Sequence, residues 1–211
     1  MDFKKLIETR KSVRTFDGRP LSREDLRKLC EAIERITNPW NIPVRFVLLD
    51  AKEHGLSSPV IAGEQLYIAA KVPCVPHCEE AYGYSFEQMV LCAWSLGIGT
   101  TWIGGTMKRE LFYEGDFSHP IAEPDELLEA VRWAPSAANL QPCRVVRDRS
   151  KYHFYEEHPQ GYQAKVRWDV QRIDVGIAIC HLMCVTGGRC SIEDPGLAAD
   201  AGLEYIATVT V

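Results

Sequence analysis

Leu127-Leu-Glu-Ala-Val-Arg-Trp-Ala-Pro-Ser-Ala-Ala-Asn-Leu-Gln-Pro-Cys-Arg-Val-Val146 is the stretch whose reading decides the fold. Apolar residues at helical spacing run up to Trp133, a turn bracketed by Pro135 and Pro142 follows, and the chain then reads as a strand. An earlier stretch has the same order. Leu26-Arg-Lys-Leu-Cys-Glu-Ala-Ile33 leads into Asn38-Pro-Trp-Asn-Ile-Pro-Val-Arg-Phe-Val47, and aligning Pro43 with Pro142 and Arg45 with Arg144 superimposes the strand starts. The turns differ. Ser136, Asn139 and Gln141 stand in the later one where the earlier has Asn38, Trp40 and Asn41. A helix running into glycines also recurs, Val90–Gly99 against Ile179–Gly188. Two non-identical turns on a duplicated scaffold can build one asymmetric site. The expectation is one domain over residues 1–211, with halves of approximately 1–115 and 116–211 that share a core.

Working outward, the sequence predicts helices over Phe3–Thr9, Arg23 to about Ile36 behind a Ser22 N-cap, Ser85–Leu96, Pro124–Trp133 and Val175–Val185. Strands are expected at Val44–Leu49, Leu66–Val72, Arg144–Arg147, Tyr152–Glu156 and Tyr205–Val211, with a short extended piece at Thr100–Ile103. At 211 residues, 46% apolar and 25% charged, the chain can bury a sizeable core. A net charge of −5 argues against nucleic acid as the partner. The basic residues nonetheless gather near the start, from Lys4 to Lys28, which suits a small anionic ligand. No signal-peptide pattern opens the sequence, and Val175–Gly187 is too short to span a bilayer. Eight cysteines then read as reduced thiols of a cytoplasmic protein.

Three segments could carry chemistry. Arg10-Lys-Ser-Val-Arg14 places two guanidiniums four residues apart around a hydroxyl, a set that can grip a phosphate or stay a solvated surface. Pro135-Ser-Ala-Ala-Asn-Leu-Gln-Pro142 supplies a hydroxyl and amides beside small residues, suited to a polar heterocycle or to capping alone. Gly97-Ile-Gly-Thr-Thr-Trp-Ile-Gly-Gly105 lets backbone pass close to a flat ring, or is simply a helix C-cap. Cys74, His77 and Cys78 have an unusual spacing for zinc, and no metal site is assigned. No nucleophile elbow or catalytic Cys/His signature is present.

Together, Glu8-Thr-Arg-Lys-Ser-Val-Arg-Thr-Phe16, Arg132-Trp-Ala-Pro-Ser-Ala-Ala-Asn-Leu-Gln-Pro142 and Ser95–Gly105 resemble the motifs of the nitroreductase-like family of FMN-dependent oxidoreductases. The resemblance implies an α+β fold, a mixed β-sheet flanked by helices. It also implies FMN as cofactor, with NADH or NADPH as reductant and a nitroaromatic or quinone as acceptor. Carried over, Arg10, Ser12 and Arg14 would hold the phosphate and ribityl end of FMN. Pro135, Ser136, Ala137, Asn139 and Gln141 would reach the ring, and Ile103, Gly104 and Gly105 would lie near its reactive edge. No protein catalytic residue is implied, since the flavin does the chemistry. In most members the A-P-S element follows the arginine element closely; here the intact version comes late. That order resembles the subgroup in which one chain imitates the usual dimer, so a monomer would suffice for one FMN, with a small-molecule substrate and neither nucleic acid nor membrane as partner. Reductive dehalogenation, flavin fragmentation, and an FMN carrier or sensor without turnover remain the alternatives.

Overall fold

The structure, a computed structural model, describes residues 2–103, 125–158, 168–197 and 203–211. It is an α+β fold, as expected. Helix α1 spans Phe3–Thr9, with Asp2 capping Lys5 N, and α2 spans Arg23–Arg35. Ser22 Oγ accepts from Asp25 N, and Glu24 and Asp25 face the partial positive charge of the first turn of α2. Strands β1 (Arg45–Asp50) and β2 (Leu66–Lys71) pair antiparallel as a separate two-stranded sheet. Helix α3 follows at Cys78–Ser95 and α4 at Glu126–Arg132. Strands β3 (Cys143–Asp148) and β4 (Lys151–Glu156) form a hairpin, α5 spans Val170–Thr186, and β5 (Arg189–Ser191) and β6 (Glu204–Thr210) close the chain. The larger sheet has the order β3-β4-β6-β5, every neighbour antiparallel. Among the described residues, parallel pairing enters only through the isolated bridges Ser12–Thr100 and Thr15–Ala62.

The core forms where α3 and α5 cross beneath the larger sheet. Tyr84 of α3, Val175, Ile179 and Leu182 of α5, and Phe154, Ile206 and Val209 of the sheet share one buried cluster. Two glycines set the approach of the helices. A Cβ on Gly83 would stand 2.8 Å from the carbonyl carbon of Ile173, and one on Gly176 would stand 2.9 Å from that of Glu80. The two contacts are reciprocal, because each glycine sits three residues after the backbone that the other glycine touches.

Both long helices begin earlier than their apolar pattern indicates. α3 starts at Cys78 instead of Ser85, and α5 at Val170 instead of Val175. The added turns carry Glu80, Gln171 and Asp174, polar residues that are buried. The repeat segments Val90–Gly99 and Ile179–Gly188 contain the C-terminal ends of these helices. Positive φ falls on Gly97 and Gly187, however, so the matching caps lie one place off the alignment that sets Gly99 against Gly188. Strand β5 was not expected; it is three residues long and, among the described residues, pairs only with β6.

Candidate functional site

The Arg10–Arg14 element leaves α1 as an extended segment held from both edges. On one edge Val13 N donates to Thr100 O at 2.9 Å. On the other, Ala62 N donates to Arg14 O at 2.9 Å and Phe16 N to Ala62 O at 2.8 Å. Glycine makes the first contact feasible, since a Cβ on Gly99 would stand 2.6 Å from Val13 Cγ2. Two of the three motif segments, the arginine element and the Gly97–Ile103 loop, are therefore brought together. Ser12 and Arg14 are exposed there, and so is Ile103 at the end of the loop. Gly104 and Gly105 lie outside the described residues.

Arg10 turns inward. Its side chain is 7% exposed, and Nε lies 3.6 Å from Glu87 Oε1 on α3, a carboxylate with no exposure at all. Among the described residues, Arg10 Nε and Nη1 have no hydrogen-bond acceptor. Glu87 is a hub. Trp102 Nε1 donates to its Oε2 at 3.0 Å, and His181 Nε2 of α5 faces its Oε1 at 3.2 Å. The other ring nitrogen, Nδ1, faces Ala130 O of α4 at 3.0 Å. A carbonyl only accepts, so in this contact Nδ1 is the donor. This network runs from the arginine element through α3 and α5 to α4, the helix that leads into the Pro135–Pro142 turn.

That turn is strained. Ala138, Asn139 and Gln141 have φ of 51°, 54° and 49°, left-handed conformations that cost non-glycine residues about 1–3 kcal/mol each. Several bonds hold it. Ser136 Oγ accepts from Gln141 N at 3.0 Å, Leu140 N donates to Ala137 O at 3.1 Å, and Ala137 N donates to Asp174 Oδ2 of α5 at 2.9 Å. Burial pushes the Asp174 carboxyl well above the usual carboxylate range, opposed by the Ala137 N–H. Asn139 is exposed, with its Oδ1 3.4 Å from Gln141 Nε2, and Pro135, Ser136 and Ala137 are half-buried.

The earlier turn is used differently. Asn38 Oδ1 accepts from Ile42 N at 3.2 Å, while its Nδ2 donates to Ile42 O at 2.7 Å and Ser85 Oγ at 3.2 Å. Its amide is thus committed within the protein. Trp40 joins the core, edge-on to Tyr84 at 6.1 Å between centroids, and only Asn41 takes a positive φ. Sequence reasoning gave Glu87 and Asp174 no role, while His181 is a buried histidine with both ring nitrogens engaged. Their burial depends on α3 and α5 meeting, and the sequence gives no local sign of that. Cys74, His77 and Cys78 do not converge on a metal geometry; Cys78 Sγ instead donates to Glu79 Oε2 at 2.9 Å.

The α+β architecture and these motifs define a nitroreductase-like protein. A family model described as "Putative TM nitroreductase" matches residues 2–119, more than half of the chain, and the chain belongs to that family. Among solved structures, a putative nitroreductase from Thermotoga maritima MSB8 matches with a TM-score of 0.66 and 20% identity, over 100% of this chain and 94% of that one. At that identity the likeness is one of fold. No curated protein matches the sequence significantly. Among the described residues, no helix is long and apolar enough to cross a membrane.

Proposed function

We propose that the chain is an FMN-dependent NAD(P)H oxidoreductase of nitroreductase type, with one flavin site made within a single chain. The observation that carries this reading is the Pro135–Pro142 turn. Three non-glycine residues are held there in left-handed conformations, anchored to a buried carboxylate and presenting amides outward. Such strain persists only where surrounding contacts enforce it, and it gathers at ligand sites. Family membership and the tethered Arg10–Arg14 element support the same reading.

The residues present fit the cofactor. Among the described residues, two buried guanidinium nitrogens of Arg10 have no hydrogen-bond acceptor, Glu87 standing 3.6 Å away, and a buried donor left unsatisfied costs about 1–3 kcal/mol. An anionic group at this place would remove that cost. Arg14 and Ser12, exposed beside Arg10, would take the phosphate and ribityl end. Ser136, Asn139 and Gln141 would orient the ring through its carbonyl and N–H edge, and Ile103 would flank it. Bound FMN would supply hydride acceptance from NADH or NADPH and delivery to a nitroaromatic or quinone. The protein's part would be to hold, orient and exclude water, with the exposed Arg14 as the candidate charge near the electron-rich edge of the ring.

The test is anaerobic titration of the FMN-loaded protein with NADH and with NADPH, followed by absorbance near the flavin's visible band. Bleaching by either nucleotide and recovery on adding a quinone is the expected result. Failure to bind FMN, or no bleaching by either nucleotide, overturns the proposal.

A further inference from the structure

A second polar cluster, away from the residues assigned to the flavin, sits where β4 ends and α5 begins. Glu156 is the last residue of β4, His158 follows it closely, and Asp169 is the N-cap of α5. One ligand atom from each lies within 4.8 Å of the others. Atoms sharing an ion at about 2.1 Å stand roughly 3–4.2 Å apart, so small side-chain rotations bring these three to coordination distance. Asp169 Oδ1 already caps Gln171 N at 2.9 Å, and a carboxylate with two oxygens can cap and ligate together.

The independent observation is the state of Glu156. Its side chain has no solvent exposure, and among the described residues neither carboxylate oxygen accepts a hydrogen bond. His158 Nδ1 and Arg172 Nε each lie 3.4 Å from one of these oxygens without bonding geometry. Arg172 is otherwise engaged, by Glu80 at 3.0 Å and by Glu204 at the sheet edge. Three carboxylates, those of Glu80, Glu156 and Glu204, thus gather around one guanidinium, and Asp169 stands close to Glu156 and His158. A buried carboxylate that accepts no hydrogen bond is costly, and a cation bound directly to its oxygens offsets that cost.

We propose that Glu156, His158 and Asp169 form a binding site for a divalent first-row transition metal such as zinc, tying the end of β4 to the start of α5. One imidazole with two carboxylates is a borderline donor set that suits zinc, cobalt, nickel or manganese over magnesium or calcium. The ion would stand at the head of the helix that also carries Asp174, the anchor of the Pro135–Pro142 turn. Its role is structural, and it does not depend on the flavin reading.

The experiment is isothermal titration of zinc chloride into tag-free, chelator-treated full-length protein, with thermal unfolding measured in parallel. One saturable equivalent and a raised melting temperature are expected. His158→Ala should weaken binding at least about tenfold. Asp169→Asn keeps a good N-cap and should weaken it likewise while leaving the metal-free melting temperature nearly unchanged. Cys74→Ser is the counter-variant and should bind zinc as the wild type does. Absence of saturable binding, unaltered affinity in both His158→Ala and Asp169→Asn, or loss of binding in Cys74→Ser overturns the proposal.

Discussion

Replacing Gly83 by alanine should destabilise the protein, against the expectation from helix propensity. In the interior of an exposed helix, glycine to alanine gains about 1 kcal/mol. Here the new Cβ would stand 2.8 Å from the carbonyl carbon and 3.0 Å from the Cα of Ile173, with the carbonyl oxygen nearer still. Comfortable carbon–carbon contact is about 3.5–4.0 Å, so the helices must separate by nearly 1 Å. No rotamer offers an escape, because the atoms met are backbone. Overpacking of this kind costs about 1–3 kcal/mol, occasionally more, and a backbone collision belongs at the upper end. The net expectation is a loss of about 2 kcal/mol for Gly83→Ala and similarly for Gly176→Ala, whose Cβ would stand 2.9 Å from the carbonyl carbon of Glu80. The double variant should cost clearly less than the sum, since one separation of α3 from α5 relieves both collisions. Urea unfolding measures this as a shift in midpoint at constant slope. A single variant as stable as the parent, or strict additivity in the double, would refute the close-packed crossing.

Other consequences can be checked separately. Arg14→Ala should weaken FMN binding by about 1.5–3 kcal/mol, the worth of a charge-assisted hydrogen bond to phosphate; unchanged quenching of flavin fluorescence on titration would remove Arg14 from the site. Asp174 carries a pKa raised above its unfolded value of 3.8, so the folded state keeps the proton longer. Its effect on stability is therefore least unfavourable below the ordinary aspartate range and worsens as pH rises from there toward the folded value. Asp174→Asn, which retains an acceptor for Ala137 N, should gain stability relative to the parent between pH 4 and 8; a constant difference across that range contradicts the assignment. Glu87→Leu should cost about 3–5 kcal/mol by stranding Arg10 and His181 in the interior, and a change under 1 kcal/mol in urea unfolding would show that the hub does not hold them.

Much of the fold was legible because local chemistry and tertiary context agree. Ser22 before Arg-Glu-Asp marks the start of α2, and the β-branched run near the C-terminus becomes β6. Where the two disagree, reading failed. The first turns of α3 and α5 carry Glu79, Glu80, Gln171, Arg172 and Asp174, which look like the polar approach to a helix. They lie inside it because two helices bury each other's polar turns. Asp169, a good N-cap residue, was the available sign that α5 begins at Val170. Four of the candidate site residues, Ser12, Arg14, Ile103 and Asn139, sit exposed where a ligand can reach them. Arg10 instead turns inward to Glu87, and because that partner stands far along the chain no spacing rule could reveal it.

The extended segment from Ser12 to Phe16 has one further consequence. Its backbone is bonded to Thr100 on one edge and Ala62 on the other. Ordering a residue's backbone costs about 1–2 kcal/mol, and here that cost is met when the chain folds. An anion bound at Ser12 and Arg14, as proposed, would meet a preorganised wall, and its affinity would not be reduced by having to build one.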